Sequence, residues 1–383
     1  MADAFRFEIL GRDSGSGARR GRLHTPHGTV ETPVFMPVGT SATVKAMTQE
    51  MLEELSAELL LANAYHLYLR PGHEAVQELG GLHRFMGWPR ALLTDSGGFQ
   101  VFSMNTLRKV SEDGVLFRSH LDGSQHFLTP EKAIEIQAAL GADFVMAFDE
   151  CLEYPASHEK ARHSMELTLR WAARCQKALQ KAGPSGRGGP RDKQALFGIV
   201  QGGTYADLRR ECARRLVEMD FFGYAIGGLA VGEPPSLSTE MTEVCVAELP
   251  EERPRYLMGV GYPRDLVEYA RQGVDMMDCV LPTRNARNGC AFTWEGQVQL
   301  RNASFATDDR PIDARCGCRV CRRYSRAYLR HLFAAGEMLA AIVTTYHNLY
   351  FYLDLMRRIR EAIPRGALGE LQAELGEAEG EQA

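Results

Sequence analysis

No run of 18 apolar residues occurs in the 383-residue chain, which excludes a transmembrane helix of ordinary length. The start, Met1 to Arg22, mixes acids with arginines and has no apolar run of seven or more, so it does not read as a secretory signal. Disulfide-like spacing is missing too, since six of the nine cysteines (Cys151, Cys175, Cys212, Cys245, Cys279 and Cys290) are scattered. Reduced thiols with no export or membrane segment lead us to expect a cytoplasmic protein without a membrane partner. No G-x-G-x-x-G follows the first strand-like run, which weakens a dinucleotide-binding open sheet. Net charge is -5, which taken alone argues against a nucleic-acid partner.

The distribution of that charge points the other way. Between Arg301 and Arg330 eight arginines face three aspartates, a local +5, so the remainder of the chain carries -10. Within this basic stretch lie the other three cysteines, Cys316, Cys318 and Cys321. Three thiolates at C-x-C-x2-C spacing and one imidazole complete a tetrahedral zinc shell with no open position, so one structural zinc ion is expected per chain. His347 is the expected fourth ligand, with His331, nearer the cysteines, as its competitor. A basic surface around such a centre suits phosphates.

Hydrophobic content of 45% and charge of 24% are ordinary for a globular chain able to bury a sizeable core. Eight short apolar runs recur, at Pro33 to Val38, Glu58 to Ala62, Arg90 to Thr94, Ala142 to Phe148, Ala195 to Val200, Gly223 to Ile226, Arg255 to Val260 and Asp275 to Leu281. Most are followed by helical patterns, such as Thr48 to Ala57, Thr129 to Leu140, Thr204 to Met219 and Pro263 to Gln272. Eight alternating units predict an α/β fold of the (β/α)8 TIM-barrel type, with a doubly wound sheet as the alternative. Asp113-Gly114 and Asp122-Gly123 mark hairpin excursions after strand three. The helix due after strand eight is delayed, which predicts an inserted zinc-binding subdomain between the last strand and last helix. The division expected is a barrel with an N-terminal extension over 1–281, the zinc and RNA-binding insert over 282–335, the last barrel helix over 336–365 and a flexible acidic tail over 366–383. Gly183 to Arg191 reads as a flexible loop.

Barrel active sites lie at the C-terminal ends of the strands. Asp95-Ser96-Gly97-Gly98, Asp149-Glu150, Gln201-Gly202-Gly203, Gly227-Gly228 and Gly259-Val260-Gly261 end successive runs, and Asp278 lies in the eighth. Two carboxylates across a barrel mouth suit substitution at an anomeric carbon, one as nucleophile and one as acid/base.

TDSGGFQVFS (Thr94 to Ser103), FDEC (Phe148 to Cys151), FGIVQGG (Phe197 to Gly203), GGLAVGE (Gly227 to Glu233), MGVG (Met258 to Gly261) and DCVLPTRNARNG (Asp278 to Gly289) occur in order. With these motifs the chain resembles the bacterial tRNA-guanine transglycosylases from about Thr32 to Ile363. The resemblance implies a homodimeric pentosyltransferase of queuosine biosynthesis. It would exchange the wobble guanine of G-U-N anticodons, in the Asp, Asn, His and Tyr tRNAs, for 7-aminomethyl-7-deazaguanine through a covalent enzyme-tRNA intermediate. It makes Asp278 the nucleophile and Asp95 the general acid/base. Asp149, Gln201 and the Gly228 N–H would read the base edge, Phe99 and Met258 would sandwich the base, and the Leu229 carbonyl and Glu233 would receive its ammonium group. Arg284 and Arg287 would hold the flanking bases, and Tyr324, Tyr328 and His331 would belong to the dimer interface. Zinc would be held by Cys316, Cys318, Cys321 and His347. Val231 stands where eukaryotic relatives have the glycine that admits queuine, and Cys151 narrows the same side. A non-catalytic RNA-binding chain would be expected to lose the two aspartates, and a barrel hydrolase has no need of the Cys3His segment.

Overall fold

The computed structural model describes residues 4–104, 108–181 and 194–375. An antiparallel sheet of β1 (Arg6–Arg12), β2 (Arg19–Thr25) and β3 (Gly28–Thr32) comes first. The sequence pattern does not announce it, because β2 buries an arginine: the Arg19 guanidinium is 1% exposed and its Nε donates to Asp275 Oδ1 at 2.9 Å.

The eight expected runs then form β4 (Val34–Gly39), β5 (Leu59–Ala62), β6 (Ala91–Thr94), β10 (Phe144–Met146), β11 (Ala195–Val200), β12 (Gly223–Ile226), β13 (Arg255–Leu257) and β14 (Met276–Cys279). Between β6 and β10 come β7 (Lys109–Ser111), β8 (Gly114–Arg118) and β9 (Gln125–Leu128), an antiparallel sheet whose turns hold the two Asp-Gly pairs. The barrel strands are parallel and close through β14 against β4, with Asp278 opposite Met36. Side chains alternate between two cores. Leu59, Leu61, Leu93, Phe144, Phe197 and Met276 fill the interior, while Leu60, Leu92, Val145 and Leu257 pack outward against helices. A strand buried on both faces has no polar face to show, which is why these segments read as continuous apolar runs.

Helix boundaries follow local chemistry. Pro130–Leu140 starts where Thr129 Oγ1 accepts the Lys132 N–H at 3.1 Å and stops at Gly141, whose φ of 73° closes the left-handed cap.

After β14 a short helix, Leu281–Arg287, leads into the hairpin of β15 (Cys290–Thr293) and β16 (Gly296–Gln299), the cysteine segment and the helix Arg326–Ala335. The delayed long helix is Met338–Ala362, and it packs on β4 and on the 281–287 helix. The flexible tail expected from residue 366 is corrected over its first part. Leu368–Glu374 is a helix with Leu368 and Leu371 buried and Leu375 buried just beyond it, so its glutamates occupy only the outer side. Residues 376–383 and the expected loop Gly183 to Arg191 lie outside the described residues. Among the described residues no helix is long and apolar enough to cross a membrane.

Candidate active site and metal centre

Three carboxylates stand at the C-terminal side of the barrel, each fastened differently. Asp95 directly follows β6 and is buried; Asn63 Nδ2 donates to its Oδ2 at 2.6 Å and the Ala64 N–H to its Oδ1 at 2.7 Å. Burial pushes its pKa up to about 6, against the pull of those hydrogen bonds, and the charge of Asp278 pushes the same way. A group titrating near 6 can both give and take a proton near neutrality. Asp149, also buried, lies three residues beyond β10; Gln201 Nε2 donates to Oδ2 at 2.8 Å and Ser96 Oγ to Oδ1 at 3.3 Å. Burial raises its pKa to about 6 as well.

Asp278 lies on β14 and is partly exposed. Its Oδ1 accepts the Tyr256 hydroxyl at 2.6 Å and the Gly259 N–H at 3.0 Å, and among the described residues Oδ2 accepts no hydrogen bond. Burial raises this pKa, and the Tyr256 and Gly259 donors oppose it. One oxygen is therefore pinned while the other is left to react.

The glycine-rich strand ends bring backbone close to these groups. A Cβ on Gly228, whose φ is 64°, would collide with Gln201 Oε1, and one on Gly98 would lie 2.9 Å from the Asp149 carbonyl. Phe99 is 51% exposed on the helix Gly98–Met104 that leaves Asp95, and Met258 directly follows β13 and is partly buried. Gln201, Gly228, Val231, Leu152 and Tyr154 line an adjoining cleft.

Glu233, which the resemblance pairs with the Leu229 carbonyl for the ammonium group, is held by neighbouring donors. Its Oε1 accepts the Ala230 N–H at 2.5 Å and the Ser238 hydroxyl, and its Oε2 accepts the Val231 N–H at 3.0 Å. Both oxygens are engaged by its own loop. Because C=O and N–H of a trans peptide point in opposite directions, fixing the Ala230 N–H also turns the Leu229 carbonyl away from Glu233. The sequence pattern singles out neither Asn63 nor Tyr256. Asn63 sits directly after the β5 run, where the strand-end rule could find it; Tyr256 lies inside β13 and reads as core.

Arg284 is exposed and Arg287 half-buried on the helix that follows Asp278. The Arg287 Nη1 is buried with no hydrogen-bond partner among the described residues, and burial lowers the pKa of its guanidinium, with Arg284 adding to the effect. Of the arginines around the cysteines, Arg310 and Arg319 form ion pairs with Asp308 (2.7 Å) and Glu54 (2.6 Å), while Arg322 and Arg323 are exposed without an ion pair among the described residues.

Cys316, Cys318, Cys321 and His347 come together in the fold, with His347 fully buried. The three sulfurs stand 3.7, 3.6 and 3.3 Å from His347 Nδ1. The S···N edge of a tetrahedron with ordinary zinc bond lengths is about 3.6 Å. His347 Nε2 lies 2.8 Å from the Phe292 carbonyl, which can only accept, so the proton sits on Nε2 and Nδ1 turns its lone pair to the thiols. The set therefore fits a tetrahedral metal ion. His331 is exposed on the helix Arg326–Ala335 and is not part of it.

The Asp149 environment has a measurable consequence. Its folded-state pKa is about 6 against an ordinary 3.8, so the fold binds a proton more tightly than the unfolded chain. Its ionised form penalises the fold above pH 6, and the penalty fades as pH falls toward 4. Asp149→Asn is expected to be more stable than the parent at pH 7.5 by ~1–3 kcal/mol, with that advantage shrinking at pH 5. Denaturant unfolding at the two pH values checks it; an equal difference at both contradicts it.

A closed (β/α)8 barrel with buried aspartates at its strand ends and a Cys3His insert before its last helix defines a barrel enzyme with a carboxylate centre. The chain belongs to the queuine tRNA-ribosyltransferase family, whose model matches residues 13–380. A protein of that name from Caldanaerobacter subterraneus subsp. tengcongensis is 59% identical over 371 residues, covering 97% of this chain and 96% of that protein. Those from Koribacter versatilis and Moorella thermoacetica are 57% and 55% identical, covering 96% and 98% of this chain and the same shares of their own lengths.

Proposed function

We propose that this chain is a tRNA-guanine transglycosylase that replaces the wobble guanine of G-U-N anticodons, in the Asp, Asn, His and Tyr tRNAs, with 7-aminomethyl-7-deazaguanine. The gathering of Asp95, Asp149 and Asp278 at one barrel face, in a member of this family, carries the reading. Asp278 Oδ2 attacks C1′ of the nucleotide and forms an ester as the C1′–N9 bond breaks, and Asp95 gives the departing guanine its proton. The incoming base then loses its N9 proton to Asp95, attacks C1′ and releases Asp278, so two displacements retain configuration. Tyr256 and Gly259 hold the nucleophile by its other oxygen. Asp149 reads the N1 and N2 edge of the base. Gln201, once it lets go of Asp149, and the Gly228 N–H read the carbonyl of the base's six-membered ring, between Phe99 and Met258. The Leu229 carbonyl receives the ammonium group, and Glu233 acts through the loop it fastens.

Arg284 and Arg287 hold the anticodon bases beside the wobble position; the unpartnered Arg287 Nη1 supports an acceptor arriving from outside. The cysteine cluster holds zinc, favoured by three soft thiolates with one imidazole, and the ion supplies folding free energy rather than catalysis. A homodimer is supported by the stacked Tyr324 and Tyr328 rings, 5.4 Å apart with Tyr328 40% exposed, and by Met338, 81% exposed. The protein works in the cytoplasm, where its tRNA is.

Incubation with labelled guanine and a transcript bearing a G-U-N anticodon should label position 34 alone. Absence of label with a competent transcript would overturn the reading. Substrate size gives a further prediction: Val231 lines the cleft beside Gln201 and Gly228, so Val231→Gly is expected to begin accepting queuine. Competition assays would show it, and efficient queuine use by the parent enzyme contradicts it.

A further inference from the structure

The helix Ala206–Glu218 carries two kinds of arginine. Arg214 and Arg215 reach the partly exposed carboxylates Glu248 and Glu166, at 2.8 and 2.7 Å. Arg209, on the inner face of the same helix, is fully buried and forms no ion pair among the described residues. A buried guanidinium with no carboxylate beside it is costly unless its donors are satisfied. Here backbone oxygens satisfy them. Nε donates to the Gly203 carbonyl at 2.6 Å, and Nη2 to the carbonyls of Gly227 and Gly228 at 3.0 and 3.3 Å. Nη1 faces Cys245 Sγ at 3.8 Å.

These glycines lie just beyond β11 and β12, so one side chain ties together the two loops that carry Gln201 and Gly228. The peptide joining Gly227 to Gly228 is trans, and its C=O and N–H therefore point in opposite directions. With the Gly227 carbonyl held on Arg209, the Gly228 N–H is turned away from the helix, on the side of the cleft that Gln201 and Gly228 line. Among the described residues no hydrogen-bond partner occupies that N–H. One turn further along the helix, Cys212 Sγ accepts the Gln201 N–H at 3.3 Å, so the same helix face backs both groups.

We propose that Arg209 is a positioning residue for base recognition, acting through the peptide between Gly227 and Gly228: it aims the Gly228 N–H at the carbonyl of the base's six-membered ring and polarises it. The inference rests on the reading of that N–H as the carbonyl's donor. An amide whose oxygen is bonded to a cation is a stronger donor at its nitrogen. The gain grows during reaction, because breaking C1′–N9 leaves electron density on the purine, part of it on the carbonyl oxygen. Arginine suits the task because its planar fork can hold the carbonyls of both loops at once, which a single ammonium cannot do with the same geometry.

The test compares guanine with 6-thioguanine, which keeps the N1 and N2 donors and replaces the oxygen with sulfur, a weak acceptor. The KM for guanine, and the inhibition constant of 6-thioguanine against it, are measured for the full-length enzyme and for Arg209→Met and Arg209→Lys. The parent should favour guanine. Both variants should raise the KM for guanine by about tenfold and lower kcat, while hardly changing the constant for 6-thioguanine. An arginine that only supports the fold would weaken both bases alike. If Arg209→Met does not fold, Arg209→Lys, which keeps the charge but not the fork, carries the comparison. Variants that keep the parent's full preference for guanine overturn the role of Arg209 alone. A parent that makes no distinction between the two bases overturns the proposal together with the reading of the Gly228 N–H beneath it.

Discussion

Asp278→Asn is expected to abolish base exchange, on the order of 10⁴-fold or more, because an amide at this position cannot attack C1′ and no other carboxylate is held in its place. The loss should come without unfolding. Asn still offers an acceptor to the Tyr256 hydroxyl and the Gly259 N–H, and the variant sheds a carboxylate whose ionised form burial disfavours. Asp95→Asn should slow exchange by about 10²- to 10⁴-fold, since it removes the proton donor but leaves the nucleophile. An enzyme that keeps most of its exchange rate without Asp278 would contradict the assignment, and steady-state rates at matched tRNA concentrations measure it.

Removing the zinc proposed for the Cys3His cluster should have the second largest effect, and its route is structural. The ligands Cys316, Cys318 and Cys321 lie on a segment with little regular structure, tied to the long helix Met338–Ala362 at His347. Structural zinc contributes roughly 10–16 kcal/mol of binding free energy in small zinc-finger peptides, far more than local packing would replace here. Cys318→Ala, or exhaustive chelation, should therefore release residues 300–335 to rapid amide exchange while the barrel strands stay protected. Tight RNA binding, and the proposed dimer, should fail with it. Uniform protection across the variant, or active protein free of zinc by metal analysis, would contradict this view.

Much of this architecture could be read from the sequence because a barrel strand is buried twice over. Leu59–Ala62 and Ala195–Val200 show no polar face, so their runs stand out from the amphipathic helices between them. The N-terminal sheet escaped because Arg19, buried against Asp275, disguises an inward-facing position as a surface one. The helix Leu368–Glu374 escaped for the opposite reason: its glutamates suggested solvent, while Leu368, Leu371 and Leu375 repeat at the spacing of one buried stripe.

The site divides along the same line. Asp95 and Asp149 lie just beyond strand ends and Asp278 lies on a strand, so fold class alone points to them. The sequence and the resemblance favour His347 over His331, and the fold supports that choice by bringing His347, on the long helix 26 residues beyond Cys321, against the three cysteines. What Glu233 touches depends on the path of its loop, where Ala230 takes a positive φ of 57°, and spacing gives no sign of that.

A covalent ribosyl-enzyme ester on Asp278 is the central claim, and a denaturing gel tests it most directly. Enzyme is incubated with a G-U-N transcript and a slowly reacting base analogue, then run under conditions that separate everything not covalently joined. The parent enzyme and Asp95→Asn, the latter more slowly, should give a shifted protein-RNA band that Asp278→Asn lacks. A band that persists in Asp278→Asn and vanishes in Asp95→Asn would reverse the two roles, and no band from an enzyme that exchanges guanine would contradict the covalent route.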